Sequence, residues 1–88
     1  MFFKRKPKVD LDTQFKELYK ETNRITADAG SELDFTIKYS QLKLACHKYD
    51  QLLQLIDQGA NFDKAYFASL KESVENEAKR VKGLIDED

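Results

Sequence analysis

The sequence predicts an all-α fold: an antiparallel three-helix bundle with helices over about 10–28, 32–58 and 62–84. Three observations point there. The lone proline is Pro7, so from Val9 onward no residue is barred from a helix by a locked φ or a missing amide. Gly30 and Gly59 divide the remaining chain into three runs. Within each run apolar residues recur at spacings of three and four, the period of one helix face.

The first helix can be capped by Asp10 or Asp12, and its stripe is Leu11, Phe15, Leu18, Thr22 and Ile25, widened by Tyr19. It is expected to end near Asp28, with Gly30 supplying a left-handed terminal residue. Ser31 then offers a capping hydroxyl, with Glu32 and Asp34 in a first turn where the helix dipole favours negative charge. The second helix runs to Gln58, where Gly59 stops it, giving roughly 27 residues and about 40 Å. Asn61 is the expected cap of the third helix, whose stripe is Phe67, Leu70, Val74, Ala78, Val81 and Ile85. Gly83 and the acidic run Asp86, Glu87 and Asp88 predict fraying at its end. Short connections make consecutive helices antiparallel.

The middle helix carries more apolar surface than one stripe. Phe35, Tyr39, Leu42, Cys46, Tyr49, Leu53 and Ile56 follow a strict four-three repeat, the pattern of left-handed helix packing, and form the predicted core seam. At 100° per residue, Leu33, Ile37, Leu44 and Leu55 project to the opposite side, with Ala45 and Leu52 between the two. A helix in a compact bundle needs one stripe. The second asks for a further partner: the two other helices on opposite sides, a second copy of the chain as a homodimer, or another protein. Leu33, Ile37, Leu44 and Leu55 are therefore the candidate partner-binding residues.

Length and composition bound what else the chain can be. Its 88 residues give one domain, and a chain of this size buries only about 60 to 65% of its unfolded surface. With 41% apolar and 35% charged residues it is neither disordered nor a membrane span, and no stretch approaches the roughly 18 uncharged apolar residues a span requires. The charged N-terminus lacks the apolar run of a secretory signal, and a lone cysteine forms no internal disulfide, so the expected location is cytoplasmic. Lysine outnumbers arginine twelve to three, which suggests an AT-rich bacterial or phage genome.

No catalytic constellation emerges, and no enzymatic role is expected. Cys46 and His47 are adjacent, yet helix neighbours diverge by about 100° and do not face one another. Cys46 falls on the core seam, where a free thiol behaves as a small hydrophobe, and His47 reads as a surface residue. One Cys and one His per chain would supply four zinc ligands only across a dimer. The carboxylates Asp50, Asp57, Glu72, Glu75 and Glu77 lie among lysines as a solvated surface, and Asp34 with Lys38 and Glu75 with Lys79 have stabilising helix spacings. No phosphate loop, Ser/His/Asp set or EF-hand loop occurs. Catalytic residues, cofactors, metal and a small-molecule substrate are accordingly none.

Residues 1–8 differ from the rest and read as a flexible basic tail before a single domain over 9–88. Phe2 and Phe3 precede Lys4, Arg5, Lys6 and Lys8 with no acid among them, leaving eleven basic against sixteen acidic side chains in the remainder. Aromatic insertion with cationic attraction is how peripheral membrane anchors work, and the same cations suit nucleic-acid phosphates. The acidic body argues against a nucleic-acid footprint spread over the fold. Two functions follow as expectations. The first is a non-catalytic protein–protein interaction module, a small bacterial or phage regulator or accessory protein acting through its helical surface. The alternative is a peripheral membrane or nucleic-acid accessory protein tethered by the basic tail.

Overall fold

The computed structural model describes residues 10–87 as three helices, α1 over Leu11–Ser31, α2 over Phe35–Gln58 and α3 over Lys64–Asp86, in an all-α bundle. Each helix starts at an aspartate. Asp10 Oδ1 accepts from the Asp12 amide at 3.1 Å, and its Oδ2 accepts from the Thr13 hydroxyl at 2.7 Å. Asp34 Oδ1 accepts from the amides of Thr36 and Ile37 at 2.9 and 3.1 Å, and Asp63 Oδ1 from those of Ala65 and Tyr66 at 3.0 and 3.3 Å. An ionised carboxylate satisfies amide donors that a helix leaves open and meets the positive end of the dipole.

These caps move two predicted starts. Ser31 belongs to the end of α1, where its hydroxyl donates back to the carbonyls of Ala27 and Asp28, and Asp34 takes the expected capping role. Asn61 is not a cap either: its backbone amide donates to Asp12 Oδ1 at 2.8 Å, tying the second connection to the start of α1. Gly30 does not end α1, which continues to Ser31 and stops at Glu32 in extended backbone. Among the described residues the left-handed region is used by Gly59, at φ 127°. There the Gly59 amide bonds Ile56 O and the Ala60 amide bonds Leu55 O, a Schellman closure with Leu55 and buried Ala60 in the same apolar cluster. α3 passes through Gly83 to Asp86, whose carboxylate receives Lys82 Nζ at 2.9 Å, so the predicted end at 84 falls short. α2 has 24 residues, about 36 Å, one more than α3.

Both flanking helices run antiparallel to α2. Asp12 meets Asn61, Glu21 pairs with Lys48 at 3.7 Å, and Ala29 joins Leu42 in one cluster; on the other side Asp50 pairs with Lys71, and Leu42 clusters with Ala78 and Val81. No Cα of α1 lies within 8 Å of one in α3, so α2 is the shared partner. Its buried residues are Leu42, Ala45, Cys46, Tyr49 and Leu52. The buried arc is thus rotated by about 35° from the predicted seam, toward Ala45 and Leu52. Two neighbours need a broad arc, and fully buried Ala45 leaves room for close approach. Phe35 drops out of the seam at 44% exposure, and Leu53 is only half-buried.

The core is unevenly built. At the α2 C-terminal end Phe15, Tyr49, Leu52, Ala60 and Phe67 are buried together. Phe15 stacks on Phe62 with ring centroids 4.0 Å apart and meets Phe67 edge-on at 4.8 Å, joining α1 to α3 and the connection before it. At the other end the buried residues are Ala29, Leu42, Ala78 and Val81. Thr22, fully buried in α1, satisfies its hydroxyl on Leu18 O at 2.7 Å.

Leu52→Ala is expected to cost about 2 to 5 kcal/mol, measured by urea denaturation, out of about 5 to 10 for a domain of this size. Leu53→Ala should cost distinctly less. The glycines give an opposite pair of outcomes. A Cβ at Gly30 or Gly83 meets nothing within 4 Å, so Gly30→Ala and Gly83→Ala should each stabilise by about 0.5 to 1 kcal/mol. Gly59→Ala places a side chain in a left-handed backbone and should destabilise by about 1 to 2 kcal/mol, visible in thermal melts.

Candidate functional site

α2 also positions the predicted partner-binding residues. Leu33, just before the helix in the first connection, is 91% exposed, and Ile37 and Leu44 are about half-exposed on the side of α2 turned from the core. Ile37 and Leu44 are two turns apart, about 10.5 Å along the axis. Leu55 departs from this group: it is half-buried and packs against the aromatic core cluster, because the Schellman closure folds the chain back over it. Phe35, assigned by periodicity to the core, joins the exposed set instead. It is the first residue of α2, beyond the reach of the flanking helices, and a seam read by spacing alone does not register where a neighbour ends. Tyr66, 52% exposed, lies at the opposite end of the bundle. The stretch from Asp28 to Ile37 carries three carboxylates, Asp28 in the last turn of α1 and Glu32 and Asp34 in the connection on either side of Leu33. Glu32 accepts from the Asp34 amide at 3.1 Å, which fixes the connection on which Leu33 is displayed.

Between α2 and α3 runs a groove of about 310 Å³, lined by Tyr39, Lys43, Cys46, Glu75, Ala78, Lys79 and Lys82. Cys46 is buried, and desolvation raises its thiol above the usual cysteine range, with Glu75 adding to the effect against Lys43 and Lys71. Such a thiol stays protonated near neutral pH and is a poor nucleophile. His47 is exposed, one residue on and turned away from the groove, so the two do not form a nucleophile and base pair. Among the described residues no three or more His, Cys, Asp or Glu side chains are grouped to hold a metal ion, and no helix is long and apolar enough to cross a membrane.

Several other charges are engaged in surface pairing. Glu77 receives Arg80 through two bonds of 2.9 and 2.6 Å, Asp57 receives Lys64 at 2.8 Å, and Glu75 lies 3.8 Å from Lys71. The expected partners of Glu75 and Asp34 were Lys79 and Lys38; Glu75 is drawn to Lys71, and Asp34 is committed to its cap. Exposed pairs of this kind contribute at most about 1 kcal/mol each. Phe2, Phe3, Lys4, Arg5, Lys6 and Lys8 lie outside the described residues. Compared with protein-family models, curated proteins and solved structures, the chain matches none.

The state of Cys46 has two measurable consequences. Alkylation by iodoacetamide at pH 8 should be at least about tenfold slower in the folded chain than in urea; equal rates would place the thiol at the surface. Because the folded chain holds this proton more tightly than the unfolded one, the associated stability is present below pH 9.0, the ordinary thiol value, and is lost as the pH rises through the higher folded value. Cys46→Ala should therefore flatten the alkaline side of the stability profile.

Proposed function

We propose that this chain is a non-catalytic protein–protein interaction module, a small cytoplasmic regulator or accessory protein of bacterial or phage type, that works through the outer side of α2. One observation carries the reading. Of the five large apolar side chains exposed among the described residues, four fall between residues 33 and 44, and three of these, Leu33, Ile37 and Leu44, belong to the side of α2 opposite the core seam. Apolar side chains scattered singly over a surface are ordinary, whereas several gathered on one face mark a contact surface. Among the described residues the one cysteine is buried, and Asp57 and Glu77 are paired with Lys64 and Arg80 while Asp34 is spent on its cap.

The partner is a second copy or another protein presenting a complementary helix. A helix laid along this side would engage Ile37 and Leu44, with Leu33 closing one end. Sedimentation equilibrium on the wild type, Ile37→Asp and Leu44→Asp tests the reading, with circular dichroism confirming that each variant is folded. Self-association is expected in the wild type and should weaken by about tenfold or more when an aspartate must be buried in the contact. For another protein as partner, capture by the wild-type chain should be lost with Leu44→Asp. If neither association nor capture depends on Ile37 and Leu44, the reading is wrong.

A further inference from the structure

We propose that the exposed corner at the head of α2, where Leu33 and Ile37 face solvent beside Glu32 and Asp34, receives residues 2–8 of a second copy of this chain, in a reciprocal antiparallel dimer. The inference rests on the outer side of α2 being an interface, and adds who occupies it and by what chemistry.

Leu33 lies between Glu32 and Asp34, and the chain holds no basic residue between Ala27 and Ile37. The corner's complement has two features, apolar groups large enough to cover exposed side chains and cations to face the carboxylates. Residues 2–8 have both, with Phe2 and Phe3 followed by Lys4, Arg5, Lys6 and Lys8. A contact of opposite charges around an apolar centre is the usual arrangement of a specific interface.

The same chain cannot make this contact to itself. The tail joins the fold at Asp10, at the opposite end of α1 from the corner, and the 21 residues of α1 span about 31 Å. Lys4 is six residues from Asp10 and reaches at most about 21 Å when fully extended. Its own cations therefore fall short of Glu32 and Asp34, which lie beyond the end of α1. A second copy has no such restraint. If two α2 helices pair antiparallel about Leu44, the α2 C-terminus of one copy at Gln58, 14 residues from the axis, lies about 3 to 6 Å beyond the α1–α2 connection of the other, 10 to 12 residues from the axis. Asn61 is bonded to Asp12, so the second copy's tail emerges beside the corner it would occupy. The exchange is reciprocal, which closes the assembly as a two-fold dimer.

Charge reversal in the full chain tests this by sedimentation equilibrium. One variant carries Lys4→Glu, Arg5→Glu, Lys6→Glu and Lys8→Glu; the other carries Asp28→Lys and Glu32→Lys, leaving the Asp34 cap intact. The wild type should form a dimer whose Kd rises about tenfold or more between 50 and 500 mM salt. Each reversed chain alone should dimerise at least about tenfold more weakly. An equimolar mixture of the two should recover a heterodimer of near wild-type affinity, because both tail contacts are then favourable. A wild type that stays monomeric at millimolar concentration overturns the proposal, while the wider reading survives through another protein partner. Reversed chains that dimerise as the wild type does also overturn it, leaving the α2 surface as an interface without the tail. If Leu44→Asp leaves the dimer intact while the charge reversals abolish it, the tail contact stands and the α2 reading fails. Tail-dependent binding to phosphatidylglycerol vesicles with no effect of reversal on dimerisation would assign the tail to a membrane and overturn the proposal.

Discussion

Leu52, fully buried, lies with Tyr49 on α2 against Phe15 of α1 and Phe67 of α3, and the rest of the bundle depends on that junction. The backbones of α1 and α3 stay apart, so their relative position is set by what they share: α2 between them and the stacked and edge-on rings of Phe15, Phe62 and Phe67. Large rigid rings bury much area at little rotamer cost, and their edge and face geometry limits how they interlock. The Asp12 bond to the Asn61 amide and the closure at Gly59 hold the second connection over the same cluster. Packing, turn geometry and polar anchoring converge on one end of the molecule.

The opposite end is built differently. Its buried residues include two alanines, its first connection displays Leu33 to solvent, and Phe35 is left partly uncovered at the head of α2. Fewer buried apolar atoms per turn mean less free energy opposing local opening, so the fold is stiffest at the aromatic end and softest at the corner. An interaction surface at the soft end can adjust to a partner without disturbing the cluster that specifies the architecture. Gly30 and Gly83, both within a few residues of helix ends on this side, add to the same gradient.

Much of the architecture was legible in the residues. Three helices, their order, the stop at Gly59 and the burial of Phe15, Leu42, Tyr49, Phe67 and Val81 follow from spacing and from the one glycine that takes a left-handed turn. The errors share a cause, that local signals compete and a short window does not reveal the winner. Ser31 and Asn61 are good caps by type, but Asp34 and Asp63 lie three and two residues further on and bring a full charge to two amides each. Gly30 resembles a stop, yet no left-handed residue was needed because the chain leaves α1 in extended backbone at Glu32. Periodicity placed the core stripe of α2 to within a fraction of a turn. It could not anticipate that α1 and α3 would share the helix from two sides, which drew Ala45 and Leu52 to the centre and took Leu55 into the core. Of the candidate residues, the exposure of Leu33, Ile37 and Leu44 was readable because they lie opposite the stripe that α1 and α3 cover.

The three aspartate caps have a kinetic meaning. Each helix carries its own start signal within two or three residues of the amides it satisfies, and the two connections span three and five residues. Almost everything that starts an element is therefore close to it in sequence, and the close backbone approaches link consecutive helices, with the ring contacts of Phe15 and Tyr19 to Phe67 as the long-range exception. Chains organised in this way close short loops first and face a small entropic barrier, which places this one among proteins that fold in microseconds to milliseconds. The α1–α2 pair and the α2–α3 pair are each a hairpin that can form as the polypeptide is made, with the ring of Phe15 waiting for Phe62 and Phe67 to arrive.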